Sequence, residues 1–260
     1  METTSASIAS YPLPRERNLI LGFLLVLAGA AWALLAWQSA RPDDHAMGLT
    51  MGMGAPLFIA IWVAMMVAMM FPTAAPMILT FARVHAGKRE RGAPFVPTWA
   101  FVSSYLVVWT LFGALAYALA IGAEHLADRW MWLMDNAARI GGGVLVLAGL
   151  YQLSPLKGSC LSKCRTPLSF ILGSWRDGYG GSFRMGFEHG VYCLGCCWLL
   201  FVILFPLGVM NVAAMAVITV LIFAEKSLPT GPHIGRIAAA ALVSYGVLVA
   251  FVPGALPTAM

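Results

Sequence analysis

Charge is what this chain has least of: Asp, Glu, Lys and Arg make up 10% of its 260 residues, against 60% hydrophobic residues and a mean hydropathy of +0.82. Soluble domains carry about a quarter charged residues, so a soluble fold is excluded and a polytopic membrane protein is implied. The chain has 5 cysteines, an odd count without the regular spacing of a secreted scaffold, which argues against a disulfide framework. A Walker A sequence is missing, as is any polar segment large enough to hydrolyse ATP, so an ATP-driven pump is excluded. There is no internal repeat of fixed period and no long low-complexity tract. The formal charge of +5 and pI of about 9.1 need no nucleic acid, because Lys and Arg accumulate in the cytoplasmic loops of membrane proteins. The partner this composition asks for is membrane lipid.

Apolar runs bounded by Pro, Gly and charge give the organisation. Residues 19–37 are long enough to cross a bilayer and lack a small-residue cleavage site followed by a soluble domain, which reads as a first span and not a removed signal. Further spans are expected over 57–81, 96–121, 137–153 and 234–252. The run 188–224 is too long for one span and carries Pro206-Leu-Gly208 near its middle, so it splits into two short helices joined by a tight turn. The fold class is therefore all-α, a transmembrane bundle of about seven helices. Residues 1–18 read as a disordered cytoplasmic N-terminus and 19–252 as a single transmembrane domain. Within it lie an outer Met-rich loop over 39–56 and a cytoplasmic loop over 154–187; residues 253–260 form a C-terminal tail. In the longer cytoplasmic loop, 167–175 is too short to span and reads as an interfacial or re-entrant piece.

Loop charge sets the orientation. A cytoplasmic N-terminus puts 13 of the 16 basic residues inside, leaving only Arg41, Arg129 and Arg139 outside. This bias gives N-in and C-out.

Against this background the segment His189-Gly-Val-Tyr-Cys193-Leu-Gly-Cys196-Cys197-Trp198 stands out. On a helix, Cys193, Cys196 and Cys197 lie at roughly 40°, 340° and 80° from His189, so all four occupy one arc of about 100°. Thiolate and imidazole are ligands of soft ions such as Cu(I), and ionisable groups inside a membrane are costly and usually functional. The alternative is that Cys and Gly195 are small residues for close helix packing. On the second helix, Met65 and Met69, and likewise Met66 and Met70, stand one turn apart and form a thioether stripe. Such a stripe either fills gaps in apolar packing or completes a Cys/His site.

Other groups are weaker candidates. The outer loop holds Asp43, Asp44, His45, Met47, Met51 and Met53, an uptake or exit site for a soft cation or a solvated loop. Cys160 and Cys164 lie in the cytoplasmic loop beside Lys157, Lys163 and Arg165, which suits metal receipt or thiol exchange as well as two inert thiols. Glu188 marks an interface or neutralises a cationic site. Asn211 is expected to bond across helices, Glu225 and Lys226 to anchor a helix end or form an internal ion pair, and His125 with Glu124 and Asp128 to sit solvated in an outer loop.

The combination of Trp62, the Met65 to Met70 stripe with Pro72, Gly186-Phe-Glu-His189-Gly190, Cys193-x-Gly195-Cys196-Cys197-Trp198, Gly208-Val-Met210-Asn211 and Glu225-Lys226 resembles a bacterial family. It is that of predicted metal-binding integral membrane proteins, catalogued as a domain of unknown function, with copper-chaperone-like relatives that accompany tyrosinases. The resemblance covers about 56–229. It implies metal handling, with copper (Cu+) or another soft metal as cargo and a copper-dependent oxidase or metallochaperone as partner. The expected function is then non-enzymatic transfer or delivery of Cu(I) through His189, Cys193, Cys196, Cys197 and the methionines. The alternatives are a membrane thiol-disulfide oxidoreductase using Cys193 and Cys196, or a structural accessory subunit.

Overall fold

The computed structural model describes residues 14–40, 48–89, 92 and 96–256; His45 and Met47, like Asp43 and Asp44, lie outside them. The described residues form an all-α bundle of α1 (Pro14–Ser39), α2 (Ala55–Arg89), α3 (Trp99–Arg129), α4 (Met131–Asp135), α5 (Ala137–Gln152), α6 (Pro155–Arg165), α7 (Pro167–Gly173), α8 (Gly178–Val202), α9 (Leu204–Leu207), α10 (Val212–Ser227) and α11 (Gly231–Phe251). Five helical stretches are long and apolar enough to cross a membrane, and α5 with α6 make a sixth only as a pair bent by 62°. At 16 residues α10 is shorter than these.

Backbone groups freed by proline and small residues at crossings decide how the helices pack. Pro72 inside α2 has no N–H, which leaves the Ala68 carbonyl one turn earlier without its helical donor. The Trp32 indole N–H of α1 takes that carbonyl at 3.0 Å. On α8, a Cβ at Gly186 would collide with the Phe101 carbonyl and the Ser104 hydroxyl of α3, and one at Gly190 would come within 2.9 Å of Val108. Gly142 and Gly246 likewise let α5 and α11 meet backbone to backbone. Small residues at crossings replace the hydrophobic driving force that lipid does not supply.

Four expectations change. The helix bearing the cysteines begins at Gly178, not near 188; its first turns hold Gly178, Gly180 and Gly181, which look like loop, and α3 packs further along, at Gly186 and Gly190. His189 is therefore mid-helix rather than at a helix start. The break after α8 falls at Ile203, and the turn is made by Gly208 (φ 95), while Pro206 sits inside the short α9. Asn211 bonds locally and not to a distant helix: its side-chain oxygen accepts from Ala214 N at 3.0 Å and caps α10, and its Nδ2 donates to the Leu207 carbonyl at the end of α9 at 3.1 Å. Finally, α3 runs on to Arg129, so His125 and Glu124 are helical, and the Glu124 carboxylate accepts the Thr50 N–H at 2.7 Å, tying the start of α2 to the end of α3.

The segment between α5 and α8 is also helical. Ser154 accepts from Lys157 N and Pro155 occupies the first turn, where a missing N–H costs nothing, so α6 starts cleanly. The short α7 buries Phe170 and Ile171 and leaves Leu168 and Leu172 outside. Beyond it Asp177 accepts from the Trp175 indole at 2.8 Å and from Lys88 at 3.3 Å. These contacts hold its carboxyl below the usual carboxylate range.

Candidate metal centre

Three helices converge on the cysteine face of α8. His189, Cys193, Cys196 and Cys197 are all buried there, at 2% exposure or less. Helix α6 packs against them and brings Cys164, also buried. The Sγ atoms of Cys164, Cys193 and Cys196 lie within 4.8 Å of one another, and all five cysteines are free thiols. Cys196 and Cys197 donate to the same acceptor, the Cys193 carbonyl, at 3.1 and 2.8 Å.

The Cys193 sulfur has the most polar surroundings. Lys226 Nζ, at the end of α10, stands 3.0 Å from it, and the Tyr105 hydroxyl of α3 stands 3.2 Å away. The same ammonium reaches Thr73 Oγ1 of α2 at 3.5 Å. A cation at that distance from a buried sulfur is complementary to a thiolate and to the net negative charge of a metal bis-thiolate. His189 is stacked against Phe101 and Tyr105, with ring centroids 5.9 and 5.5 Å away. Both of its ring nitrogens are buried with no hydrogen-bond partner among the described residues. Buried polar atoms are nearly always satisfied, and an orphaned imidazole in a sulfur-rich core points to a ligand.

A second buried ion pair stands next to the first group. Lys157 Nζ of α6 is 2.7 Å from Glu225 Oε2, with both side chains 3% exposed, and it also donates to Gln152 Oε1. Arg165 donates to the carbonyls of Glu225 and Leu228. The internal pair of Glu225 thus runs to α6 and not to its neighbour Lys226, because adjacent residues on a helix diverge by about 100°. The result clamps α6, and with it Cys164, to the end of α10.

The remaining candidates are distributed as follows. Met65, Met66, Met69 and Met70 are fully buried in the same apolar core as the cysteines. From α2, however, it is Thr73, Pro76 and Met77 that line the cavity beside Cys164, His189 and Lys226. Met70 is linked to them through Thr73, whose hydroxyl lies 3.9 Å from its Sδ. Cys160 is half-buried and occupies the space left by Gly195, where a Cβ would come within 2.6 Å of its Sγ. Met51 and Met53 pack on the core at the start of α2, with Met51 in the left-handed region at φ 55. Glu188 pairs with Arg184 one turn earlier at 3.0 Å. Tyr105, Thr73 and Met77 carried no sequence signal.

A family model described as PpoB2, copper chaperone, matches residues 59–249. The chain belongs to the PpoB2 copper chaperone family. No curated protein and no solved structure matches it. The PpoB2 match runs from the first turns of α2 into α11 and includes Cys164, the α8 cysteines, Glu225 and Lys226. For a copper chaperone the ion is cargo, and the donor set suits it. Metal–thiolate bonds of about 2.3 Å place sulfurs up to about 4.6 Å apart across one ion, and the three sulfurs here all lie within 4.8 Å of one another. Sulfur-rich sites favour Cu(I) because both partners are soft.

Proposed function

We propose that this protein is an integral membrane copper chaperone that holds Cu(I) on Cys164, Cys193 and Cys196 and passes it to a copper-dependent enzyme. The observation that carries the proposal is the convergence of three buried sulfurs from two helices within 4.8 Å, with the Lys226 ammonium 3.0 Å from one of them. Family membership supports copper as the cargo and a carrier's role, not a catalyst's. Tyr105 and Lys226 orient and balance Cys193. His189, with both ring nitrogens free, offers the next ligand along the cavity wall. Transfer by exchange of one soft ligand at a time avoids ever releasing a bare ion into a low-dielectric interior, where its charge would be costly. The buried methionines of α2 supply neutral thioethers on the far side of Thr73. With the N-terminus inside, as loop charge favours, Cys164 and Arg165 stand toward the cytoplasm and the stripe toward the outer face.

The test is copper content after anaerobic loading and desalting, by mass spectrometry. Wild type is expected to retain copper and a Cys164/Cys193/Cys196→Ser variant to lose it. Equal copper in the two overturns the proposal.

A further inference from the structure

Beside the thiols is a cavity of about 200 Å³ whose wall combines soft ligands and positive charge. Cys164, His189 and Met77 contribute the former, Arg165 and Lys226 the latter, and no Asp or Glu lines it among the described residues. Arg165 donates to two carbonyls, which position the guanidinium without neutralising its charge. It is half-buried and Ser227 is exposed, so these two mark the mouth, while the buried Cys164 and His189 form the floor. Two cationic side chains and no carboxylate around this volume make its wall complementary to an anion. A volume of about 200 Å³ is far below that of a folded domain, but cavities of about 150 Å³ already admit a benzene-sized group.

We infer that this cavity receives Cu(I) as an anionic bis-thiolate complex of a small thiol, whose thiolate arm sits between Arg165 and Lys226 while Cys164 takes the metal. This rests on the copper reading above and adds the form in which the ion arrives. Copper remains Cu(I) throughout. One Cu–S bond to the incoming thiol breaks as the bond to Cys164 forms, the second breaks as Cys193 closes, and Cys196 adds as a neutral thiol donor that keeps its proton. Each proton displaced from a protein thiol leaves on a departing small thiol, and no electrons move. A reducing compartment rich in glutathione, as on the side where loop charge puts Arg165, supplies such complexes.

Purified protein in detergent is loaded anaerobically from Cu(I)–glutathione, which is anionic, and from Cu(I)–acetonitrile, which is cationic, and the ratio of the two loading rates is measured. Arg165→Gln and, independently, Ser227→Asp are each expected to lower the glutathione/acetonitrile ratio about tenfold, since a charge at the mouth acts on encounter. Ser227→Asp adds a carboxylate without touching the Arg165 hydrogen bonds, so it reads charge even if Arg165→Gln destabilises the protein. Ratios within about twofold of wild type in both variants overturn this inference alone. So does faster loading from a Cu(I)-charged protein than from Cu(I)–glutathione, which would make a macromolecule the donor. Uptake from neither donor overturns the copper reading itself.

Discussion

Replacing Lys226 by Met removes the charge 3.0 Å from the Cys193 sulfur while keeping most of the side-chain volume. At an effective dielectric of about 20, unit charges at that separation interact by about 5 kcal/mol. In a copper-bound site the negative charge is spread over more than one sulfur, and the Tyr105 hydroxyl at 3.2 Å remains to stabilise it. Roughly half of the interaction, about 2–3 kcal/mol, is then lost, which corresponds to about 30- to 150-fold weaker binding. The assay is competition for Cu(I) against a chromophoric chelator under anaerobic conditions, with folding checked by size exclusion. Lys157→Met is the control: it deletes an equally buried ammonium, but one paired with Glu225, and should lower stability without a comparable loss of affinity. Folded Lys226→Met protein that binds copper within about threefold of wild type would refute the assignment of Lys226 as counter-charge.

Cys193→Ser should abolish copper retention, whereas Cys197→Ser, whose thiol only donates to the Cys193 carbonyl at 2.8 Å, should keep most of it; metal analysis of the two variants decides. Gly186→Val should cost about 1–3 kcal/mol or more by forcing α8 off α3, while Gly29→Val on α1, with nothing within 4 Å of its Cβ position, should be close to neutral in detergent thermal unfolding. Glu225→Gln leaves Lys157 buried without a counter-charge and should destabilise by about 3–5 kcal/mol; a Lys157→Met/Glu225→Leu double variant should recover most of it, as read by denaturant unfolding.

The helical class and the face of α8 were legible in the sequence because both follow from periodicity. Length and hydropathy mark the spans, and a turn of about 100° per residue collects His189 and its cysteines on one side. What was not legible comes from contacts distant along the chain. Lys226 meets Cys193 across 33 residues and Tyr105 meets it across 88, and nothing local to either residue announces the sulfur. Cys164 was readable only as a loop thiol, since the cap at Ser154 that starts α6 is ordinary until α6 is seen folded on α8. Glycine misleads for a physical reason: at Gly186 and Gly190 it serves close approach to α3, yet in a sequence it resembles the loop that ends a helix. The four methionines of the stripe are all buried in the core, but the residues of α2 that line the cavity are one to two turns further on, at Thr73, Pro76 and Met77.

The most direct test of the account is the copper X-ray absorption spectrum of anaerobically loaded protein. A first shell of sulfur that is lost in Cys164→Ser and Cys193→Ser but kept in Cys197→Ser is the result expected from the thiol arrangement. A first shell of oxygen and nitrogen, or a sulfur shell indifferent to Cys164 and Cys193, would contradict it.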